Sequence, residues 1–143
     1  MGPPLFELLQ KICLTILLSS MIGLEREIRK KEAGLRTHIL VGVGSALIVL
    51  TSFHVFDIYK NIAPVDPTRM IAGITTGIGF LCGGAIIRAG NQISGLTTAA
   101  TLWAVSGIGI AVGAGNYSAA IVFTLAVFFV ITGLRVVDRK IKR

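Results

Sequence analysis

Charge is scarce in this chain. Only 15% of its 143 residues are Asp, Glu, Lys or Arg, while 53% are hydrophobic. A soluble domain of this length needs a polar surface, and this composition cannot supply one. That leaves an integral membrane protein. Acids are scarcer still, seven against fourteen bases. In a soluble protein the resulting net charge of +7 would point to nucleic acid. Here the bases cluster beside apolar runs, where lipid headgroups and membrane topology account for them, so the expected partner is the bilayer and no nucleic acid. Cysteine is limited to Cys13 and Cys82, both inside apolar runs. There is no CxxC or Cys/His metal spacing, and a disulfide inside a span is not expected. Four prolines against seventeen glycines suit close-packed membrane helices better than strands. The first residues lack a basic region and lead into an apolar run long enough to span, so no cleavable signal is expected.

What the chain does have is five apolar runs. A helix crosses the hydrocarbon core in about 20 residues, and spans are predicted at 5–24, 37–56, 68–88, 97–115 and 118–136. The expected fold class is all-α: a single polytopic transmembrane bundle over residues 1–143. The first connection carries Arg26, Arg29, Lys30, Lys31 and Arg36, and the third carries Arg88. The tail carries Arg135, Arg139, Lys140, Lys142 and Arg143. Basic connections stay cytoplasmic, which places the N-terminus outside and the C-terminus inside and requires an odd number of spans. Phe53, Phe56, Tyr59 and Tyr117 suit the outer interface. Asp66 and Pro67 read as a helix cap followed by a first-turn proline. The alternative is that Asp66, with Arg69 beside it, forms a cation-attracting outer mouth.

Ionisable groups are missing from the middle of every span. His38 and His54 sit near opposite ends of the second, about 24 Å apart at about 1.5 Å per residue, too far to share a metal within one subunit. No metal-ligand set is defined. A transport path would need backbone carbonyls and the hydroxyls of Thr75, Thr76, Thr97, Thr98, Thr101 and Ser106. No nucleophile has a positioned base, so an enzyme is not expected. The string "GIGFLCGG" lacks the Lys-Ser/Thr of a phosphate loop.

Glycines recur four apart at Gly73 and Gly77, Gly79 and Gly83, and Gly109 and Gly113. This spacing lets helix backbones touch. It predicts that spans three and four pack as a pair, with a homo-oligomer interface, such as a dimer's, as the alternative. In "GLEREIRKKEAGLRTH", residues 23–38, each of Glu25, Glu27 and Glu32 precedes a base by four residues, the favourable helical order. The first helix is therefore predicted to run on toward Gly34. Glu25, Arg26, Arg36 and Thr37, joined by Arg88 and Asn91, are the candidate polar cluster at the cytoplasmic face. Arg36 and Arg88 lie hard against apolar runs, where a partner or a phosphate would relieve their desolvation. The alternative is a solvated anchor in the headgroups.

The successive strings "GLERE", "AGLRTHILVGVGSAL", "DPTRMIAGITTGIGFLCGGAII" and "GLTTAATLWAVSGIGIAVGAG" resemble the motifs of the MgtC/SapB family, in order and across nearly the whole chain. The matching positions include Glu25, Arg26, Gly34, Arg36, Asp66, Arg69, Gly79, Thr97, Thr98 and Trp103. Cys82 departs from the pattern, standing where the family more often has glycine. The chain also ends at its basic tail, where many members continue into a cytoplasmic domain. The resemblance implies a multi-pass protein of the bacterial inner membrane. It implies a role in growth at low magnesium and, in pathogens, in survival inside host cells. It implies no cofactor, with Mg2+ as substrate or signal. Two functions follow from it. One is a regulator that contacts other membrane machinery such as the proton-driven ATP synthase. The other is a transporter or channel for magnesium or another cation.

Overall fold

The computed structural model describes residues 4–89 and 91–141, the side chains of 89 and 135–141 aside. The chain forms five helices, α1 (Leu5–Ile28), α2 (Leu35–Tyr59), α3 (Thr68–Ala85), α4 (Leu96–Gly113) and α5 (Tyr117–Ile141). Between α3 and α4 lies an antiparallel hairpin of β1 (Ile87–Ala89) and β2 (Gln92–Ser94). α1, α2, α4 and residues Tyr117–Leu134 of α5 are long and apolar enough to cross a membrane. α3 carries five glycines in eighteen residues and is not among these four. It nevertheless travels the length of the bundle. At its start the Ser52 hydroxyl, on the C-terminal half of α2, donates to the Pro67 carbonyl at 2.6 Å. At its end the Cys82 thiol donates to the Ala99 carbonyl, near the start of α4, at 3.1 Å. Cys82 thus bridges α3 to α4 through its sulfur.

The expected span boundaries move in two informative places. The third span stops at Ala85, not Arg88, because residues 87–94 pair as a hairpin. The first helix runs past residue 24 but ends at Ile28, short of Gly34. There the Lys30 amide donates to the Glu27 carbonyl and the Lys31 amide to the Arg26 carbonyl, at 2.9 and 3.1 Å. These are the two bonds of a Schellman closure. Lys30 takes the left-handed position at φ 52°, usually a glycine's, and Gly34 instead caps the start of α2. The tail bases Arg135, Arg139, Lys140, Lys142 and Arg143 fall outside the described side chains.

α4 is the central helix. Its Val105, Ile108 and Val112 are buried with Leu18 and Ile22 of α1 and Ala120 of α5. Lipid tails are as apolar as these side chains, so within a membrane this packing stabilises through dispersion and close fit, not through transfer from water. The glycines sort into two groups. A Cβ at Gly109 would run into the Gly42 carbonyl oxygen and the Ser45 Cβ, and one at Gly113 would lie 2.8 Å from the Ala46 carbonyl oxygen. The α4 glycines therefore pack against α2, not against α3 as their spacing suggested. The α3 glycines Gly73, Gly77, Gly79 and Gly83 have no atom within 4 Å of their Cβ positions.

Gly109→Ala is expected to lower unfolding stability in detergent by about 1–3 kcal/mol, since the neighbour it meets is backbone and cannot move aside. Gly77→Leu is expected to leave the monomer's unfolding transition in place. Equal destabilisation by both would contradict this sorting.

Candidate functional site

The ends of α1 and α5 and the starts of α2 and α4 meet at one end of the bundle, and its polar groups gather there. Glu25 and Arg26 lie on the last turns of α1 and are 7% and 4% exposed, low enough that neither charge could be held unpaired. Arg26 donates to Glu25 through Nε and Nη2. Arg29, one turn on, donates through Nε to the other carboxylate oxygen at 3.0 Å. Of the three acid–base pairs suggested by spacing, Glu25–Arg29 alone forms among the described residues. The chain leaves the helix at Lys30, so residues 31–36 no longer share a face with it. Glu27 instead accepts the Leu35 amide at 2.9 Å, holding the entry to α2.

Glu32 reaches across to α4. Its carboxylate accepts the Thr98 hydroxyl at 2.7 Å, and this bond holds its carboxyl below the ordinary value of 4.5. One turn deeper, His38 of α2 is fully buried. Its Nδ1 lies 2.7 Å from the Gly34 carbonyl and its Nε2 3.0 Å from the Thr101 hydroxyl. A carbonyl only accepts, so Nδ1 carries a hydrogen. The Thr101 oxygen also lies 2.9 Å from the Thr98 carbonyl. With a neutral ring the single Thr101 hydrogen goes to Nε2. With a protonated ring Nε2 donates to Thr101, which then donates to the Thr98 carbonyl. With the ring protonated, His38, Thr101, Thr98 and Glu32 form one hydrogen-bonded run from the core to the bundle end; with the ring neutral the run is interrupted between Thr101 and Thr98. Neither His38 nor Glu32 belongs to the polar cluster expected from the sequence. The signal available was a histidine four residues after a glycine at a helix start, and it does not announce a partner on α4.

The other predicted residues separate. Arg36 and Thr37 are exposed on the first turn of α2, and Arg88 and Asn91 are exposed on the hairpin. No hydrogen bond ties Arg36, Thr37 or Asn91 to the Glu25–Arg26 pair among the described residues. Asp66 sits in the connection between α2 and α3. Its Oδ1 accepts the Thr68 amide at 2.8 Å and the Thr68 hydroxyl at 2.6 Å, the geometry of a capping carboxylate, and these bonds lower its pKa. Arg69 follows, exposed. The hydroxyls offered as a transport lining do not share a path. Thr75 and Thr76 are exposed on α3 and donate to their own helix at Ile71 and Ala72. Thr97 is exposed, while Thr98, Thr101 and Ser106 are buried in the core. At the opposite end Lys11, 8% exposed, bonds Glu7 at 2.9 Å and the Gly113 carbonyl at 3.3 Å.

These features define a polytopic α-helical membrane protein with a polar, basic end. The chain belongs to the MgtC family, whose pattern it matches over residues 12–140. It is 41% identical over 113 residues to YhiD of Escherichia coli (strain K12), which is named as a candidate magnesium transporter; the match covers 78% of this chain and 53% of that protein. It is 39% identical to SapB of Bacillus subtilis (strain 168), covering 94% of this chain and 60% of SapB. It is also 39% identical to MgtC of Salmonella typhimurium (strain LT2), covering 86% and 50%. The chain therefore spans between half and three-fifths of the length of these relatives. No solved structure matches it.

Glu25→Ala is expected to destabilise the fold by about 3–5 kcal/mol, because it strands the buried Arg26 charge. Glu25→Ala combined with Arg26→Leu should recover much of the loss, and unfolding of the three variants in mixed micelles measures it. Glu32, with its folded pKa lowered, adds stability above its unfolded pKa and loses it as pH falls through the lowered value. Thr98→Val should flatten that acid limb of the thermal transition.

Proposed function

We propose that this protein is a regulatory subunit of the bacterial inner membrane, acting under magnesium limitation by packing against other membrane machinery. The MgtC family membership supports the link to magnesium. The observation that carries the regulatory reading is the divided use of glycine. On α4, Gly109 and Gly113 serve the internal contact with α2, whereas on α3 the glycines face outward with nothing against them. A helix that exposes small residues four apart offers its backbone to another helix. An apolar groove of about 630 Å³ between α2 and α3, reaching Gly73 and Gly77, widens that face. Its occupant is a second copy of the chain or a larger complex, with the ATP synthase as the candidate the family resemblance supplies. Mg2+ enters this scheme as the signal, and survival of pathogens inside host cells follows where magnesium is short.

The name of YhiD favours a second reading, cation transport, in which Asp66 serves as the mouth. The experiment separates the two. Purified protein in liposomes is expected to show no Mg2+ flux above empty vesicles, while Gly77→Leu abolishes rescue of growth at low magnesium without unfolding the protein. Flux that falls in Asp66→Asn, which keeps the cap, would establish the transporter.

A further inference from the structure

The basic end holds a cleft of about 430 Å³ between the end of α1, the start of α4 and residues 130–134 of α5. Its polar wall carries Arg26, Arg29, Lys31 and Thr97 together with Glu25, and Val130, Ile131 and Leu134 of α5 form the other side. Three bases face one acid, and that acid is already taken up by Arg26 and Arg29. The Arg29 bond uses Nε, which leaves its Nη groups outside that contact. Lys31 lines the cleft because Lys30 takes a left-handed conformation (φ 52°) that turns the chain back on itself. A non-glycine residue in this conformation is strained, and the Schellman bonds around it hold it there. Beside Thr97, α4 starts at Leu96 without a side-chain cap; its first turn presents amides that have no partner within the helix. Next to this cleft, and sharing Glu25 and Arg29 with it, runs a second apolar depression between α1 and α5, walled by Met21, Leu24, Ile28 and Phe128.

A basic pocket continuous with an apolar groove on the membrane-facing side of two helices has the shape of a phospholipid. We propose that this cleft binds an anionic phospholipid, with the phosphate on Arg29, Lys31, Arg26 and the Thr97 hydroxyl, and an acyl chain along Met21, Leu24 and Phe128. Guanidinium groups suit phosphate because their paired N–H donors match its oxygens. The Glu25 carboxylate holds the arginines in place and lowers the local charge from three to two. A neutral zwitterionic headgroup would bring its own cation against Lys31, so the cleft selects net-negative lipids. This assignment does not depend on whether the protein regulates or transports.

The test is mass spectrometry of the intact protein from micelles containing equal phosphatidylglycerol and phosphatidylcholine. Phosphatidylglycerol should be retained preferentially, and Lys31→Gln and Arg29→Gln should each weaken its retention by about fivefold. Lys31 is exposed, so its variant keeps the wild-type thermal transition and separates lost binding from lost folding. Arg36→Gln removes the same charge from the same end but outside the cleft, and should change nothing. Equal retention of the two lipids, or an equal effect from Arg36→Gln, overturns the proposal. So does displacement of the lipid by glycerol phosphate at matched concentration, which would make this a site for free phosphate compounds and leave the apolar groove without a part in binding.

Discussion

The fold rests on the approach of α4 to α2, where the Gly109 Cα sits against the Gly42 carbonyl and Gly113 sits against Ala46. In water such a contact would be one of many, backed by burial of apolar surface. In a bilayer the surrounding lipid removes that drive, and contact area between rigid backbones decides which helices pair. Once α2 and α4 touch, α1 and α5 have one place to go. Leu18 and Ile22 of α1 and Ala120 of α5 fill the remaining sides of Val105, Ile108 and Val112. The polar end follows from the same contact. His38 lies 3.0 Å from Thr101 only because α2 and α4 are pressed together along their length.

Charge is distributed to suit this arrangement. Lys11 and Arg26 are the strongly buried bases of α1, and each is met by an acid on its own helix, Glu7 and Glu25 respectively. Local pairing of this kind neutralises a charge before it has to find a partner on another helix. It lets α1 enter the membrane region without stranding an ion. The other contacts between helices use a thiol, hydroxyls, a histidine and carbonyls, and where a charged group takes part it meets a neutral one: Lys11 reaches the Gly113 carbonyl and Glu27 accepts the Leu35 amide. Glu32, outside the helices, is likewise tied to α4 through a hydroxyl, not a counter-ion.

Much of this was legible in the sequence. The five helices, the cap at Asp66 and the Glu25–Arg29 pair could all be read from apolar run length and from spacing of three or four, because these depend on neighbours in the chain. The partner of each glycine face was not legible. Gly73–Gly77 and Gly109–Gly113 have the same spacing, yet one faces outward and the other touches α2. Spacing specifies a face but does not say what the face meets. The end of α1 was misjudged for a different reason. The acid–base pattern continues through residue 36, but a left-handed lysine at position 30 breaks the helix, and lysine carries no such signal in sequence. The hairpin at residues 87–94 was missed because its strands are three residues each, too short to show alternation.

The two glycine faces also bear on the choice between regulation and transport. A path for a hydrated or partly dehydrated cation needs oxygens from several helices turned toward a common axis. Here the Thr75 and Thr76 hydroxyls of α3 are returned to their own backbone on the outer surface, while on α4 Thr101 meets His38 of α2 in the core and Thr98 is taken by Glu32. The axis where α3 and α4 would have to cooperate is bridged by the Cys82 thiol on the Ala99 carbonyl, a small polarizable contact and a poor ligand for a hard cation. To build a conducting path from this chain, a second copy would have to bring its own oxygens to the open face of α3. That is the same face that the proposed regulatory partner would occupy, so the two functions would compete for one surface.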